Sequence, residues 1–255
     1  MTYNHEKWVA QAIESVLMQQ TDFDFEIILL EDCSTDGTRD IILDYVSRHP
    51  GRFKLMLAEQ NRNSNVDWVR AMRNAQGAYV ATLDGDDYWS SPHKLATQVS
   101  FMEQHPDCSL SYHNSVCVLE SGSTFNHSPS DERAVSTFDD LLMANFLTTA
   151  GAMWSKRLAD PLPDWLDDVI WGDWGLYLHA ARYGAIRYID EALAVYRIHS
   201  RGQWWGLSEV QKAEGIILFY EQMNANLRFE HDAVISRQIA ALRASLVELQ
   251  APSSP

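Results

Sequence analysis

The first hundred residues alternate between two hydrophobic periods, and this alternation is the strongest constraint on the fold. Apolar residues recur at helical spacing over residues 9–17, and a nearly continuous apolar run of strand length follows at 25–30. Such a run is typical of a parallel strand that helices cover on both faces. The order then repeats, with helical patterns about 41–45 and 66–75 and strand-like runs at 53–57 and 78–83. The chain therefore predicts an α/β fold built on an open, mostly parallel sheet flanked by helices.

The second half is less regular. We expect strands at 109–119 and 150–154, a short helix at 136–145, and two short strands at 186–189 and 193–197. A helix at 173–183 should end at Gly184 in a left-handed cap. Residues 208–249 carry a helical pattern. These patterns predict a less regular second half and a helical tail at the end.

Charge and composition restrict the partners and the compartment. The 255 residues include 35 acidic and 20 basic side chains, a net charge of -15, so a nucleic-acid polymer would be repelled. The 3 cysteines form no C-x-x-C pair, which favours a reducing, cytoplasmic setting. No apolar stretch approaches the roughly 18 to 20 residues of a membrane span, so any membrane contact is expected to be peripheral, at the inner face.

Two predicted strands run directly into acidic loops, residues 31–37 and 84–87. Ligands of open α/β sheets bind beyond the carboxyl ends of the strands, so both loops should face one crevice. Gly85 lets the backbone bend tightly between Asp84 and Asp86. Their convergent carboxylates suit Mn²⁺ or Mg²⁺, which can hold phosphate oxygens in turn. A solvated acidic turn is the plainer alternative.

Other motifs are excluded by spacing. The glycine and the late glutamate of an EF-hand are misplaced, and Tyr88 occupies the threonine position of a phosphatase-type D-x-D-x-T. Glycine-rich phosphate loops and the G-x-S-x-G elbow are absent from the sequence. The binding of a nucleotide would therefore depend on a metal ion and on carboxylates.

Asp32 could accept hydrogen bonds from a base or ribose. Glu31 and Asp36 are instead expected to shape the turn before a helix that is capped by nearby Ser and Thr residues.

With these residues in place, the chain resembles a bacterial-type family 2 glycosyltransferase of the GT-A fold. The segments that carry the resemblance are, in order, residues 2–4 (TYN), 12–17 (AIESVL), 31–38 (EDCSTDGT), 77–80 (GAYV), 83–89 (LDGDDYW), 172–174 (GDW) and 196–199 (YRIH). The ordered set covers about residues 1–205. It implies a GT-A domain with a nucleotide-sugar half, 1–108, and an acceptor half, 109–205, followed by a helical extension, 206–255.

The resemblance also implies roles for particular residues. Thr2 and Tyr3 would line the nucleoside pocket and Asp32 would contact the base. Asp84 would lie near the ribose, with Asp86 on the Mn²⁺ or Mg²⁺ that bridges the diphosphate; Asp84 and His199 are further candidate metal ligands. Asp87 would lie just outside the metal's direct contacts.

On the acceptor side, Asp173 matches the general base that deprotonates the acceptor hydroxyl, although an ordinary helix N-cap is the plainer explanation of an aspartate there. Tryptophans clustered in the second half could form an acceptor platform or simply pack in the core. The implied reaction is inverting, metal-dependent transfer of a sugar from a nucleotide-diphosphate sugar to a glycan or lipid-linked acceptor, as in cell-surface polysaccharide synthesis.

The sequence departs from the family in three places. Gly172 replaces the usual Glu before Asp173, and Asp67 with Trp68 replaces an Arg-Asn pair. The apolar strand that normally precedes T-Y-N is not present, so the opening strand is expected to be truncated. The alternative function is therefore a sugar-nucleotide-binding or scaffold module without catalysis. A nucleotidyltransferase is disfavoured because its glycine-rich N-terminal loop is missing.

Overall fold

The computed structural model describes residues 1–61, 64–129 and 131–250. It contains nine helices and nine strands within these ranges. The helices are α1 (Val9–Leu17), α2 (Thr38–Arg48), α3 (Val66–Asn74), α4 (Lys94–Gln104), α5 (Phe138–Met143), α6 (Lys156–Ala159), α7 (Gly172–Ala181), α8 (Glu209–Asn226) and α9 (Asp232–Gln250). The strands are β1 (Ile27–Glu31), β2 (Phe53–Leu57), β3 (Tyr79–Ala81), β4 (Tyr88–Trp89), β5 (Cys108–Leu119), β6 (Thr124–Asn126), β7 (Val135–Ser136), β8 (Ala152–Ser155) and β9 (Ala185–Ile198).

The strands form two sheets. β1 and β2 pair in parallel, and the larger sheet has the order β3-β8-β5-β9-β4, with β6 beside β5 and β7 beside β9. Within the larger sheet only β5 and β9 are parallel; the other pairings are antiparallel. The α/β class is confirmed, and the sheet is mixed rather than mostly parallel because its second half returns through hairpin-like and antiparallel connections.

Helices cover both faces of the larger sheet. Adjacent residues of a strand point to opposite faces, and in β8 Trp154 packs with α7 and α8 while Met153 packs with α4. The main core joins Trp174 of α7 to Phe219 of α8, whose rings stack at 4.3 Å. The C-terminal helices therefore pack on the domain rather than extending from it. Residues 251–255 of the predicted helical extension lie outside the described residues.

Three local predictions were wrong. The two expected short strands after residue 185 form one continuous strand, β9, because both halves pair with β5 across irregularities in register. Helix α4 was not predicted. Gly184 is not left-handed, since the glycines with positive φ in the described residues are Gly51 and Gly122. Gly184 is instead required by close packing, because a Cβ there would lie 2.3 Å from the carbonyl oxygen of Asp107.

Within the described ranges, no helix is both long enough and apolar enough to cross a membrane.

Candidate active site

The T-Y-N-H segment, residues 2–5, is hydrogen-bonded to the loop between β1 and α2 and to the start of α2. The Asn4 N–H donates to Ser34 Oγ at 3.0 Å, the Thr35 N–H donates to Asn4 Oδ1 at 2.8 Å, and the His5 N–H donates to Thr38 Oγ1 at 2.7 Å. Asn4 adopts φ 56, a left-handed conformation that asparagine tolerates better than most residues. Two motifs about thirty residues apart in sequence thus form one platform at the carboxyl end of β1.

Thr2 lies buried between the two acidic loops. Its N–H donates to the Leu30 carbonyl and its own carbonyl accepts from the Asp32 N–H, both at 3.0 Å, while the Gly85 N–H donates to the Met1 carbonyl at 2.8 Å. The loops that carry Asp32 and Asp84 therefore flank the same short segment. Tyr3, beside it, has an exposed side chain.

Asp86 is contacted by two histidines. Its Oδ2 lies 3.1 Å from His199 Nε2 and 3.5 Å from His5 Nε2. Burial alone would raise the pKa of Asp86, but the hydrogen bond from His199 and the charge of His5 hold it below its ordinary value. Burial also lowers the pKa of His5. Asp86 is thus held as a carboxylate between two imidazoles.

Asp84 precedes Gly85 in the sequence, whereas Asp86 follows it. Its Oδ1 is 3.9 Å from the N-terminal ammonium of Met1, and its side chain is more exposed than that of Asp86. Burial, partly opposed by that ammonium, raises the pKa of Asp84. The structure brings Asp86 and His199 together, as the family resemblance implied. Asp84 lies nearer the Met1 ammonium and interacts with His5 through charge.

Sequence reasoning missed His5. Its Nδ1, like that of His199, is buried without a hydrogen-bond partner, while both Nε2 atoms face Asp86. The only signal was its position directly after the T-Y-N motif, which places it over Gly85. Its contact with Asp86 depends on chain segments that are far apart in sequence.

The candidate metal ligands fit an ion that also binds its substrate. In the ranges the structure describes, no group of three His, Cys, Asp or Glu side chains is arranged to hold a metal by itself. Asp86 and His199 supply a carboxylate oxygen and an imidazole nitrogen, both suited to Mn²⁺. Such an ion, when bound, would leave positions open to oxygen ligands from a substrate or water.

Asp87 and Arg197 fix the strand end that presents His199. Asp87 is buried and its Oδ1 accepts from the Arg197 N–H at 2.8 Å, while the Arg197 guanidinium donates to the Asp86 carbonyl. Burial, and then the charge of Asp86, raises the pKa of Asp87 well above its ordinary value. Trp8 stacks on the His199 ring with centroids 4.4 Å apart. The position of the His199 imidazole is therefore fixed both by the hydrogen bond between Asp87 and Arg197 and by the stacked ring of Trp8.

Asp32 is buried at the end of β1. Burial, followed by the charges of Asp67 and Glu31, raises the pKa of Asp32 to about 6. Glu31 has the structural role that was predicted for it: it is buried, pairs with Arg39, and accepts from the Ser34 N–H at 2.6 Å. Among the described residues, no arginine pairs with Asp32 as Arg39 pairs with Glu31, so the carboxylate of Asp32 is available to a ligand.

Asp173 lies in the first turn of α7 and is not its N-cap, which is Trp171. Burial raises the pKa of Asp173 to about 6, and the charge of Asp84 adds to this effect. A weak contact of 3.5 Å joins Asn145 Nδ2 to Asp173 Oδ2. A Cβ at Gly172 would lie 2.6 Å from the side chain of Asn65, so a larger residue at this position would have to displace that side chain.

The tryptophans divide into two groups. Trp174 and Trp165 pack with the core. The rings of Trp171 and Trp204 meet edge to face at 5.5 Å, and Trp205 Nε1 donates to the Tyr196 hydroxyl at 3.0 Å. This second group, Trp171, Trp204 and Trp205, is here called the tryptophan cluster. Its member Trp171 also packs against the core and is the N-cap of α7, two residues before Asp173.

The absence of a side chain at Gly85 leaves the space in which Thr2 and His5 lie. A Cβ at Gly85 would lie 2.6 Å from Thr2 Cγ2 and 2.7 Å from His5 Nδ1. We expect Gly85→Ala to displace the segment carrying Thr2 and His5, to cost about 1 to 3 kcal/mol of stability and to weaken nucleotide binding at least tenfold. Thermal unfolding and calorimetric titration with UDP measure the two effects. Gly122→Ala, on an exposed turn, is the control for a general glycine effect on binding; unchanged UDP affinity in Gly85→Ala would contradict the prediction.

The mixed sheet flanked by helices, with acidic loops at the ends of its strands, defines an α/β protein of the GT-A class. The family model described as glycosyl transferase family 2 matches residues 1–147, more than half of the chain. The chain belongs to glycosyl transferase family 2.

Individual relatives agree with this assignment. An uncharacterized protein of Mycobacterium tuberculosis is 33% identical over 207 residues, 80% of this chain and 59% of that protein, so the chain spans about three fifths of this curated relative. The Staphylococcus aureus TarS 1-349 structure in complex with UDP-GlcNAc has a TM-score of 0.67 at 20% identity, over 96% of this chain and 71% of that one. The mannosyltransferase PcManGT of Pyrobaculum calidifontis, in complex with GDP-Man and Mn²⁺, has a TM-score of 0.64 at 17% identity, over 99% of this chain and 74% of that one.

Proposed function

We propose that this chain is an inverting, metal-assisted glycosyltransferase that moves a sugar from a nucleotide-diphosphate sugar to a hydroxyl of a glycan or lipid-linked acceptor. The observation that carries the proposal is the composition of one crevice. Asp86 lies between His5 and His199, and the charge of Asp84, two residues earlier, acts on both His5 and Asp173. A candidate metal-binding pair and a candidate base, whose side chain has only a weak 3.5 Å contact with Asn145, are therefore linked through the same carboxylate.

The donor half of the crevice would bind the nucleotide. Asp32 accepts a hydrogen bond from a base N–H, with Thr2 and Tyr3 beside it, and Asp84 faces the ribose. Asp86 and His199 would hold Mn²⁺ or Mg²⁺, which, when bound, neutralises charge developing on the leaving diphosphate. The two histidines and Arg197 keep the Asp86 carboxylate in place, so little rearrangement is needed when the donor arrives.

The acceptor half would supply the base. A pKa of about 6 leaves Asp173 mostly ionised at pH 7 yet more basic than an ordinary aspartate, which suits a group that takes a proton from a hydroxyl. Inversion requires this carboxylate to approach from the face opposite the leaving group. The tryptophan cluster offers aromatic faces beside it on which the apolar face of a sugar ring can stack.

The acceptor class rests on relatives. TarS of Staphylococcus aureus, described as a poly(ribitol-phosphate) beta-N-acetylglucosaminyltransferase, is 31% identical over 114 residues, which are 41% of this chain and 18% of that protein. We assign this chain to the same kind of task, the synthesis of a cell-surface polysaccharide. A lipid-linked acceptor would bring the enzyme to the inner face of a membrane as a peripheral protein.

Calorimetric titration with UDP, GDP and ADP, each with and without Mn²⁺, tests the proposal. Because the protein offers few metal ligands of its own, we expect Mn²⁺ alone to bind weakly and one nucleotide diphosphate to bind at least tenfold more tightly with Mn²⁺. The corresponding monophosphate is the control and should gain little from the metal. Equal affinity for every diphosphate with and without Mn²⁺ would refute the metal-assisted mechanism. Tight binding without sugar transfer would favour a binding or scaffold module.

A further inference from the structure

Tyr177 brings a buried hydroxyl close to the proposed base. Tyr177 and Asp173 are four residues apart on α7, so their side chains lie on the same face of the helix, one turn from each other. The Tyr177 side chain is fully buried, whereas Asp173 is partly exposed. Because the side chains of a helix lean toward its amino end, Tyr177 extends toward the turn that carries Asp173.

The Tyr177 hydroxyl lies where three segments of the crevice meet. Thr82, which follows β3, and Thr149, which precedes β8, are close enough for their side chains to act on the pKa of this hydroxyl. The Thr82 hydroxyl donates to the Thr149 carbonyl at 3.2 Å, so these two segments are joined to each other. Thr82 is also two residues before Asp84. Tyr177 therefore connects the first turn of α7 to the segment that carries the acidic loop.

Two carboxylates act on the Tyr177 hydroxyl. Burial, followed by the charge of Asp173, raises the pKa of Tyr177 above its ordinary value, and the charge of Asp84 acts in the same direction. The charge of Asp84 also acts on Asp173. The three side chains thus form one electrostatic cluster. Since a phenol with a raised pKa keeps its proton at neutral pH, Tyr177 is a permanent hydrogen-bond donor beside two carboxylates.

This donor is not used within the part of the chain that the structure describes, where no acceptor is in hydrogen-bond geometry with the Tyr177 hydroxyl. Burying a hydroxyl without an acceptor is less favourable than burying the phenylalanine of the same shape. Tyr220, a buried tyrosine of the same core, shows the usual solution, because its hydroxyl donates to the carbonyls of Leu142 and Met143 at 2.9 and 3.2 Å. The unused donor of Tyr177 next to Asp173 therefore indicates a role in the crevice rather than in packing.

We propose that Tyr177 is a positioning residue for Asp173: with the donor bound, its hydroxyl donates a hydrogen bond to one oxygen of the ionised Asp173 carboxylate, leaving the other oxygen to take the acceptor's proton. The inference rests on the proposed function, because it takes Asp173 as the base. Bound substrate expels water from a crevice, so the carboxylate then depends on the donors of the protein. Asn145, at 3.5 Å, supplies such a donor only weakly. Hydrogen bonds of this kind are often long in an unliganded structure and shorten in the complex.

Tyr177→Phe tests the proposal, with Tyr220→Phe as the matched control. Release of UDP from UDP-GlcNAc is the activity measured, since water can replace an unidentified acceptor. We expect Tyr177→Phe to lower kcat about 10-fold to 10²-fold while the donor KM and the affinity for UDP stay within about twofold. Tyr220→Phe loses two hydrogen bonds, so its unfolding midpoint should fall by about 2 to 4 °C with kcat unchanged. An equal loss of kcat in both variants would show a packing effect and overturn the positioning role.

The Asp173→Asn background supplies a readout that a structural role would not move. Because Tyr177 acts through Asp173, Tyr177→Phe should change the residual UDP release of Asp173→Asn by less than about twofold. A loss as large as in the unaltered background would place the effect of Tyr177 elsewhere. Unchanged kcat in Tyr177→Phe alone would also overturn the proposal.

A titration that needs no turnover separates this proposal from the proposed function. The Asp173 carboxyl carbon, followed by ¹³C NMR in UDP and Mg²⁺ and assigned by its absence from Asp173→Asn, should titrate about 0.5 to 1 pH unit higher in Tyr177→Phe, because the charged form has lost a donor. If this difference is present but UDP-GlcNAc is not consumed, the contact between Tyr177 and Asp173 stands and the proposed function fails. Equal titration in the two proteins would overturn the contact itself.

Discussion

Asp86→Ala is expected to abolish metal-dependent donor turnover, with a loss of about 10²-fold to 10⁴-fold in rate. The substitution removes the carboxylate that His5 and His199 both contact, and with it the oxygen ligand of the proposed ion. It also leaves two buried imidazoles without their shared partner. The measurement is release of the nucleoside diphosphate and transfer of labelled sugar over a range of Mn²⁺ concentrations, together with calorimetric titration of UDP and Mn²⁺.

The matched control for Asp86→Ala is Asp44→Ala. Asp44 is exposed on α2, and among the residues that the structure describes its carboxylate pairs with Arg48 alone, four residues away. Its loss removes one negative charge from the chain without touching the crevice, so donor turnover should be unchanged. Full activity in a folded Asp86→Ala protein would eliminate the proposed metal site, whereas an equal loss in both variants would point to a general charge effect.

Asp173→Asn should reduce sugar transfer by about 10²-fold to 10⁴-fold while leaving nucleotide binding within about twofold of the original. Asparagine keeps the size of the side chain but cannot accept the acceptor's proton. In the unaltered enzyme kcat/KM should rise with pH through about 6 and level off above 7, because the pKa of Asp173 is about 6 and only its ionised form is a base. That rise should be absent from the residual activity of Asp173→Asn.

The same substitution should stabilise the protein at neutral pH. The pKa of Asp173 is raised from 3.8 to about 6 in the folded state, so the folded protein binds more protons than the unfolded one between these values. Its contribution to stability is therefore most favourable near pH 4 and is lost as the pH rises through about 6. At pH 7 Asp173→Asn should raise the free energy of unfolding by about 1 to 2 kcal/mol, with allowance for partial solvent screening.

Asp168→Asn is the control for Asp173→Asn, since Asp168 is exposed on the segment before α7. It should change neither transfer nor the pH profile. Retained transfer in Asp173→Asn would remove this residue from the base role and leave the donor site unaffected. A loss of UDP binding in the same variant would show that it holds the nucleotide instead.

Short-range sequence patterns correctly predicted the helices and strands whose conformation depends mainly on neighbouring residues in the chain. The apolar run at 53–57 became β2 with the same bounds, and the helical stripe at 9–17 became α1. Prediction failed where tertiary packing decides the conformation. β9 continues through its polar middle, residues 190 and 191, because both flanking parts pair with β5. α4 was missed although Leu95, Val99 and Met102 recur at helical spacing. The burial of its polar residues Lys94 and Gln98 could not be predicted from the sequence.

The sequence by itself determined the alternating α/β order, the acidic loops at strand ends, and the candidate carboxylates Asp32, Asp84, Asp86 and Asp173. These features depend on hydrophobic period and spacing within short segments. Only the tertiary structure decided that His5 shares Asp86 with His199, that the Asn65 side chain fills the space beside Gly172, and that a cavity separates the two sheets. The reason is physical: contacts between residues about eighty or more positions apart, and the burial that raises the pKa of Asp32 and Asp173 to about 6, exist only after the chain has packed.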